Sequence, residues 1–291
     1  MSRGASRQRA EALSVLRTTL GALILSVGLS GCQSGPESPT TPSVQPRVVS
    51  LTPNLTEILF ALEAGPQVVG VTGNDHFPPE VDRLPKIGDL QLNYEALLQL
   101  HPDLVVYDPT LNRQQLAQLE KLGLHLEPLS TQTVAEMLES IQRLGRKVGK
   151  PEQADRLVAK LRRELDLCKK RREAMSYHPQ ALVEIWHDPL IAAGKGSYCA
   201  EVLELAGFNN LVTRAGYPTI DLEDLQRLDP EVLILTHPLP QTPSWKRLKA
   251  VQNQRVLEIS EDLLVRPGPR VIEALHRMQD WLELRQPVPR A

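Results

Sequence analysis

The chain of 291 residues is 41% hydrophobic and 23% charged, and its 33 basic and 35 acidic side chains leave a net charge of −2. That balance excludes a polyanion-binding surface built on bulk charge, so no nucleic-acid partner is expected. Three cysteines are too few for a disulfide-stapled scaffold, whereas the length suffices for two compact lobes.

At the start, Arg3, Arg7, Arg9 and Arg17 are accompanied by a single acid, Glu11, and an apolar run follows through Leu20, Ala22, Leu23, Ile24, Leu25 and Val27. This is the basic and then apolar pattern of a secretory signal, shorter than the roughly 20 apolar residues that a membrane-spanning helix needs. The run ends in Leu29-Ser30-Gly31-Cys32, which resembles a bacterial lipobox. Residues 1–31 therefore read as a cleaved signal and Cys32 as the lipidated first residue of an exported cell-envelope lipoprotein. The rest of 32–46 is rich in Ser, Thr and Pro without a hydrophobic period, and reads as a flexible tether.

An N-terminal lobe is expected over 47–150. Arg47-Val48-Val49-Ser50-Leu51 reads as a strand, Asn54 to about Ala64 as a helix, and Val68-Val69-Gly70-Val71 as a second strand. Residues 93–106 then align without gaps on residues 221–234, with Glu, two Leu and Pro identical. Each copy has an Asn or Asp N-cap, a short helix with Leu three residues apart, a Pro that stops it and an apolar strand. Such strands belong to parallel sheets covered by helices. The repeat predicts two α/β lobes of similar topology, each with a mainly parallel sheet.

Between the copies, Pro151 to Tyr177 places Ala154, Leu157, Val158, Leu161, Leu165, Cys168 and Met175 at steps of three and four. One amphipathic helix with Pro at its first position is predicted over 151–177, about 40 Å long. A rigid connection of that kind predicts a small closing motion. The C-terminal lobe, 178–291, opens on the strand Ala181-Leu182-Val183-Glu184-Ile185, followed by a helix from Tyr198 to Ala206 closed by Gly207. Cys168 falls on the apolar stripe, so a buried free thiol is favoured over a bridge to Cys199.

Taken together, Arg47 to Glu57, Val69 to Thr72 with Phe77-Pro78-Pro79, Asn93 to Val106, Glu184-Ile185-Trp186-His187-Asp188-Pro189-Leu190, Gly194 to Gly207, Asp221 to Ile234 and Arg266-Pro267-Gly268-Pro269-Arg270 resemble the iron-chelate and cobalamin binding family of periplasmic proteins. The Trp-His-Asp-Pro-Leu stretch resembles its cobalamin-binding members. The resemblance implies two α/β lobes joined by one long helix, ligand held in the cleft between them, and delivery to an ABC permease dimer with its ATPase subunits. Cobalamin or a related corrinoid is the expected ligand, and a ferric siderophore or haem is the alternative. A monomer attached to the membrane through its lipid anchor is expected.

Loops at strand ends supply the candidate ligand contacts Asp75, His76, Phe77, Trp186, His187, Tyr217 and Arg266. The aromatic faces suit a flat macrocycle, and Arg266 suits amides or carboxylates at its edge. Imidazole is a common metal ligand, but no His-rich loop exists, so no metal site, cofactor or catalytic residue is assigned. A metal-dependent enzyme built on His76, His187 and His237 is the alternative of a different class. The segment Gly73-Asn74-Asp75-His76 lacks the further acidic and histidine elements of a metallophosphatase, and Gly88-Asp89 alone does not supply them. Glu95 and Glu223, at equivalent positions of the repeat, complement helix dipoles. The resemblance implies in addition that they pair with arginines of the permease.

Overall fold

The computed structural model describes residues 45–89 and 91–285. The expected signal segment and the lipidation residue Cys32 lie outside them. In the first half, β1 (Val48–Ser50), α1 (Pro53–Ala61), β2 (Val68–Gly70), α2 (Tyr94–Gln99), β3 (Leu104–Tyr107), α3 (Arg113–Lys121), β4 (Leu126–Pro128) and α4 (Val134–Lys147) follow one another. The strands form a fully parallel sheet in the order β2-β1-β3-β4. Then α5 runs from Pro151 to Ala174, about 36 Å at 1.5 Å per residue. It stops three residues short of Tyr177 because Met175 takes an extended backbone.

The second half contains β5 (Gln180–His187), β6 (Leu190–Ala192), α6 (Tyr198–Leu205), β7 (Asn209–Asn210), α7 (Leu222–Leu228), β8 (Val232–Leu235), α8 (Pro243–Lys246), α9 (Lys249–Gln252), β9 (Val256–Glu258), α10 (Glu261–Leu264) and α11 (Val271–Glu283). Here β5 pairs in parallel with β7 and β8, and β8 with β9, while β6 is the one antiparallel strand. The two sheets therefore share a parallel plan, and the repeat takes the same place in both: β3 pairs beside β1, and β8 beside β5.

Both copies of the repeat are capped as the sequence predicts. Ala96 N donates to Asn93 Oδ1 at 3.0 Å, and Asp224 N to Asp221 Oδ1 at 2.6 Å. Helix α2 ends at Gln99, three residues before Pro102, and α7 at Leu228, two before Pro230. His101 and Asp229 adopt left-handed φ values of 44° and 46°, since a residue preceding Pro is disfavoured in the right-handed helical region. At the end of α6, Gly207 has φ of 106°, open to glycine without strain.

Alternation along each strand sorts side chains between two layers. Val48, Leu104 and Val106, with Ala181, Val183, Val232 and Ile234, face one continuous core built with α1, α4, α5, α6 and α11. The opposite faces carry smaller clusters, around Val49, Val105 and Tyr107 in the first sheet and Leu182, Leu233 and Leu235 in the second. The long helix is thus no free strut. Its stripe of Ala154, Val158, Leu161, Leu165 and Cys168 is buried in a core common to both lobes. Cys168 and Cys199 are both buried free thiols.

Candidate functional site

In both sheets the loops that follow the parallel strands converge on one cleft. Thr52, Pro53 and Asn54 follow β1, Asp108 and Thr110 follow β3, and Thr131 and Gln132 follow β4. Opposite them stand Ile185, Ile191, Tyr198, Tyr217, Val265 and Pro267 around a cavity of about 520 Å³. A second cavity of about 370 Å³ shares Ile185 and extends over Trp186, His187, Asp188, Thr236, His237, Pro238, Pro240 and Glu261.

The first-lobe wall is polar and internally bonded. Asn54 Nδ2 donates to Thr131 Oγ1 at 2.9 Å, and that hydroxyl donates to Asp108 Oδ2 at 2.8 Å. Asp108 Oδ1 accepts from Thr110 N at 2.9 Å and Oγ1 at 2.7 Å. The opposing wall is largely apolar and aromatic. Trp186 is 52% and Tyr217 43% exposed, a large ring area left open to solvent. The indole is oriented by its Nε1–H, which donates to Asp188 O at 2.9 Å. Tyr217 follows a close backbone crossing, where Gly194 N donates to Gly216 O at 2.7 Å. A Cβ at Gly194 would lie 2.0 Å from Arg214 O, so only glycine fits. Below this crossing, burial pushes the Cys199 thiol up to about 12, and its sulfur lies 3.6 Å from Tyr217 Oη.

Of the candidates from sequence, Tyr217 lines the inter-lobe cavity and Trp186 and His187 the adjoining one. Arg266 is engaged through one amino group, while its buried Nη1 has no hydrogen-bond partner among the described residues. Its Nη2 lies 2.7 Å from Asp262 Oδ1 and donates to Asn74 O at 3.3 Å, which ties the lobes together. His76 is exposed on its loop and lines neither cavity. Two further candidates lie away from both cavities. Asp75, expected to contact ligand, is fully buried, and its Oδ2 accepts from Thr72 N at 2.9 Å and Thr72 Oγ1 at 2.5 Å. It closes the turn of its own loop, because a short carboxylate three residues on reaches the preceding backbone. Phe77 lines a separate cavity of about 300 Å³ with Glu57, Phe60 and Pro269, held there by the Arg270 guanidinium 4.1 Å above its ring.

The residues that sequence reasoning missed are Asp108, Thr131, Gln132 and Tyr198. Asp108 and Tyr198 had an available signal: one directly follows an apolar strand, and the other opens a helix after a glycine-rich loop. The metal-dependent alternative is not assembled as expected. His187 and His237 stand with ring centroids 5.0 Å apart, but it is Glu184, not His76, that completes a group with potential ligand atoms within 4.8 Å.

Comparison with known proteins places this geometry. The chain is 29% identical over 247 residues to the uncharacterized ABC transporter substrate-binding lipoprotein YvrC of Bacillus subtilis (strain 168), covering 80% of this chain and 79% of that one. It superposes on the crystal structure of the periplasmic vitamin B12 binding protein BtuF of Vibrio cholerae with a TM-score of 0.75 and 26% identity, over 82% of this chain and 97% of that one. A periplasmic heme binding protein from Pseudomonas aeruginosa gives a TM-score of 0.76 and 27% identity, over 84% and 95%. The sequence profile described as periplasmic binding protein matches residues 48–263. The chain belongs to the periplasmic binding protein family, whose members are binding proteins and not enzymes.

Proposed function

We propose that the chain captures cobalamin or a related corrinoid between its lobes and delivers it, as the substrate-binding component of an ABC importer, from a lipid-anchored position at the cell envelope. The observation that carries the choice of ligand is the chemistry of the two facing walls. One wall offers the open ring of Tyr217, continued by that of Trp186 in the adjoining cavity. The other offers the amides, hydroxyls and carboxylate of Asn54, Gln132, Thr110, Thr131 and Asp108. A corrin is a broad apolar ring edged with neutral amides, which matches an aromatic face opposed by amides and hydroxyls. Haem carries peripheral carboxylates and many ferric siderophores are anionic, so both need cations. Among the described residues lining the two cavities there is no lysine or arginine, whereas Asp108 and Glu261 are present.

Absorbance and thermal-shift titrations of the purified chain with cyanocobalamin, cobinamide, haemin and a ferric siderophore test this. Stoichiometric binding of the two corrinoids alone is the expected result. Binding of haemin or the siderophore in preference to either corrinoid moves the protein to the alternative ligand class.

A further inference from the structure

Glu184 is the last residue of β5 paired with β8, opposite Leu235. Thr236 and His237 therefore emerge beside it, and Thr236 Oγ1 donates to Ile185 O at 2.9 Å to hold the two strand ends together. The Glu184 side chain is fully buried, the His237 and His187 rings approach its carboxylate, and neither carboxylate oxygen nor the buried Nε2 of His237 makes a well-aligned hydrogen bond. His237 Nε2 lies 3.1 Å from Glu184 Oε2, and His187 Nδ1 lies 3.7 Å from Oε1. On the far side of the His237 ring, Nδ1 is 3.1 Å from Pro238 O. A carbonyl only accepts, so Nδ1 carries a proton, and Nε2 meets the carboxylate with its lone pair unless a second proton sits between them. Two acceptors facing each other in a buried place need a positive charge between them. A single proton serves one contact and leaves the other Glu184 oxygen and His187 unserved, whereas a dication serves all three.

We propose that Glu184, His187 and His237 hold one divalent transition-metal ion of the zinc class. An ion about 2.0–2.1 Å from each donor sets tetrahedral donors about 3.3 Å apart, close to the 3.1 and 3.7 Å that separate the imidazoles from the two different oxygens of Glu184, so that small side-chain shifts bring three donors within 4.8 Å onto one ion. Two imidazoles and a carboxylate select zinc, cobalt or nickel over magnesium and calcium. The Nδ1–H to carbonyl bond of His237 is the outer-shell bond that fixes a ligating tautomer. The cobalt or iron of a chelate is not the intended occupant: its equatorial positions are filled, and three donors grouped within 4.8 Å cannot share one axial position. With three protein donors, the fourth position of a tetrahedral ion opens toward the cavity over Trp186 and Pro238, where water or a group of a solute completes it.

The untagged chain, freed of metal by dialysis against a chelator, is titrated with Zn²⁺ by calorimetry and with Co²⁺ by visible absorption, without any corrinoid. One ion per chain is expected, with tetrahedral Co²⁺ absorption. Affinity is expected to fall about a hundredfold in His187→Ala, His237→Ala and Glu184→Gln and to stay unchanged in the control His125→Ala. The half-exposed His187 gives a variant whose fold is not at stake. No stoichiometric binding, or binding that His187→Ala leaves untouched, overturns the site. Corrinoid titration of the same samples reads the ligand assignment separately: Zn²⁺ binding without corrinoid binding retains this site and removes the proposed function, and the reverse result does the opposite.

Discussion

Glu57 and Arg270, 213 residues apart, meet as a two-pronged ion pair between the lobes, with Nε donating to Oε2 at 2.8 Å and Nη2 to Oε1 at 2.6 Å. Glu57 is buried on α1, and Arg270 caps α11 with its guanidinium over the Phe77 ring. Burial raises the Glu57 carboxyl pKa more than Arg270 lowers it, while the carboxylate holds the guanidinium charged. The fork shape makes arginine, and not lysine, the fitting partner.

Arg270→Ala strands the Glu57 carboxylate in the interior and is expected to cost about 3 kcal/mol. The double change Glu57→Leu with Arg270→Met removes both charges and should recover most of that loss. Denaturant unfolding of the three variants checks it. A double variant as unstable as Arg270→Ala contradicts the account.

The same pair, the Arg266 to Asn74 bond and the core shared through α5 restrain movement of the lobes. The radius of gyration measured by solution scattering is expected to be the same, within error, with and without ligand. A marked contraction would mean that these ties open.

Trp186→Ala and Tyr217→Ala are each expected to weaken ligand binding by about 1–2 kcal/mol, the scale of ring area removed from water on binding. The rings are half exposed in the empty protein, so its melting temperature should barely change. Early melting would show that they serve the core.

Glu95 and Glu223 are exposed, each in the first turn of the repeated helix. Their equivalent places give two similar acidic points, matching the symmetry expected of a permease dimer. Reversing both charges, Glu95→Lys with Glu223→Lys, should leave ligand affinity unchanged and depress ATPase stimulation by the permease, most at low salt. Normal stimulation would leave these carboxylates with their helix-dipole role alone.

On the outer side, Arg171 of α5 grips Glu283 of α11 and lies 2.6 Å from Asp280. Hydrogen bonding to Arg171 lowers the Glu283 pKa below the usual carboxylate value. A lowered folded-state pKa stabilises the fold above the ordinary carboxyl range, and that contribution is lost as pH falls through the lowered value. Arg171→Met is expected to cost less than about 1 kcal/mol at neutral pH, since the pair is partly exposed. The difference from the parent should vanish in acid, which unfolding curves at the two pH values measure.

What local physics dictates was legible in the sequence. The spacing of Ala154, Val158, Leu161 and Leu165 sets a helix whatever surrounds it. The Asn93 and Asp221 caps, each followed by a helix, a proline and an apolar strand, announced the repeat and with it the parallel sheets. Trp186 and Tyr217 are legible as cleft candidates because few aromatic residues occur, one following a strand signal and the other lying in the loop before the second copy of the repeat. Other roles depended on where distant segments come together. Glu57 reads as a helix residue until Arg270 arrives from the far end of the chain, and Glu184 as a strand residue until β8 brings His237 beside it. Periodicity fixes which face of an element is apolar, because it depends on neighbours three or four residues away. Which charge meets which, and which carboxylate loses its water, is decided only by tertiary packing, since both depend on contacts across scores or hundreds of residues.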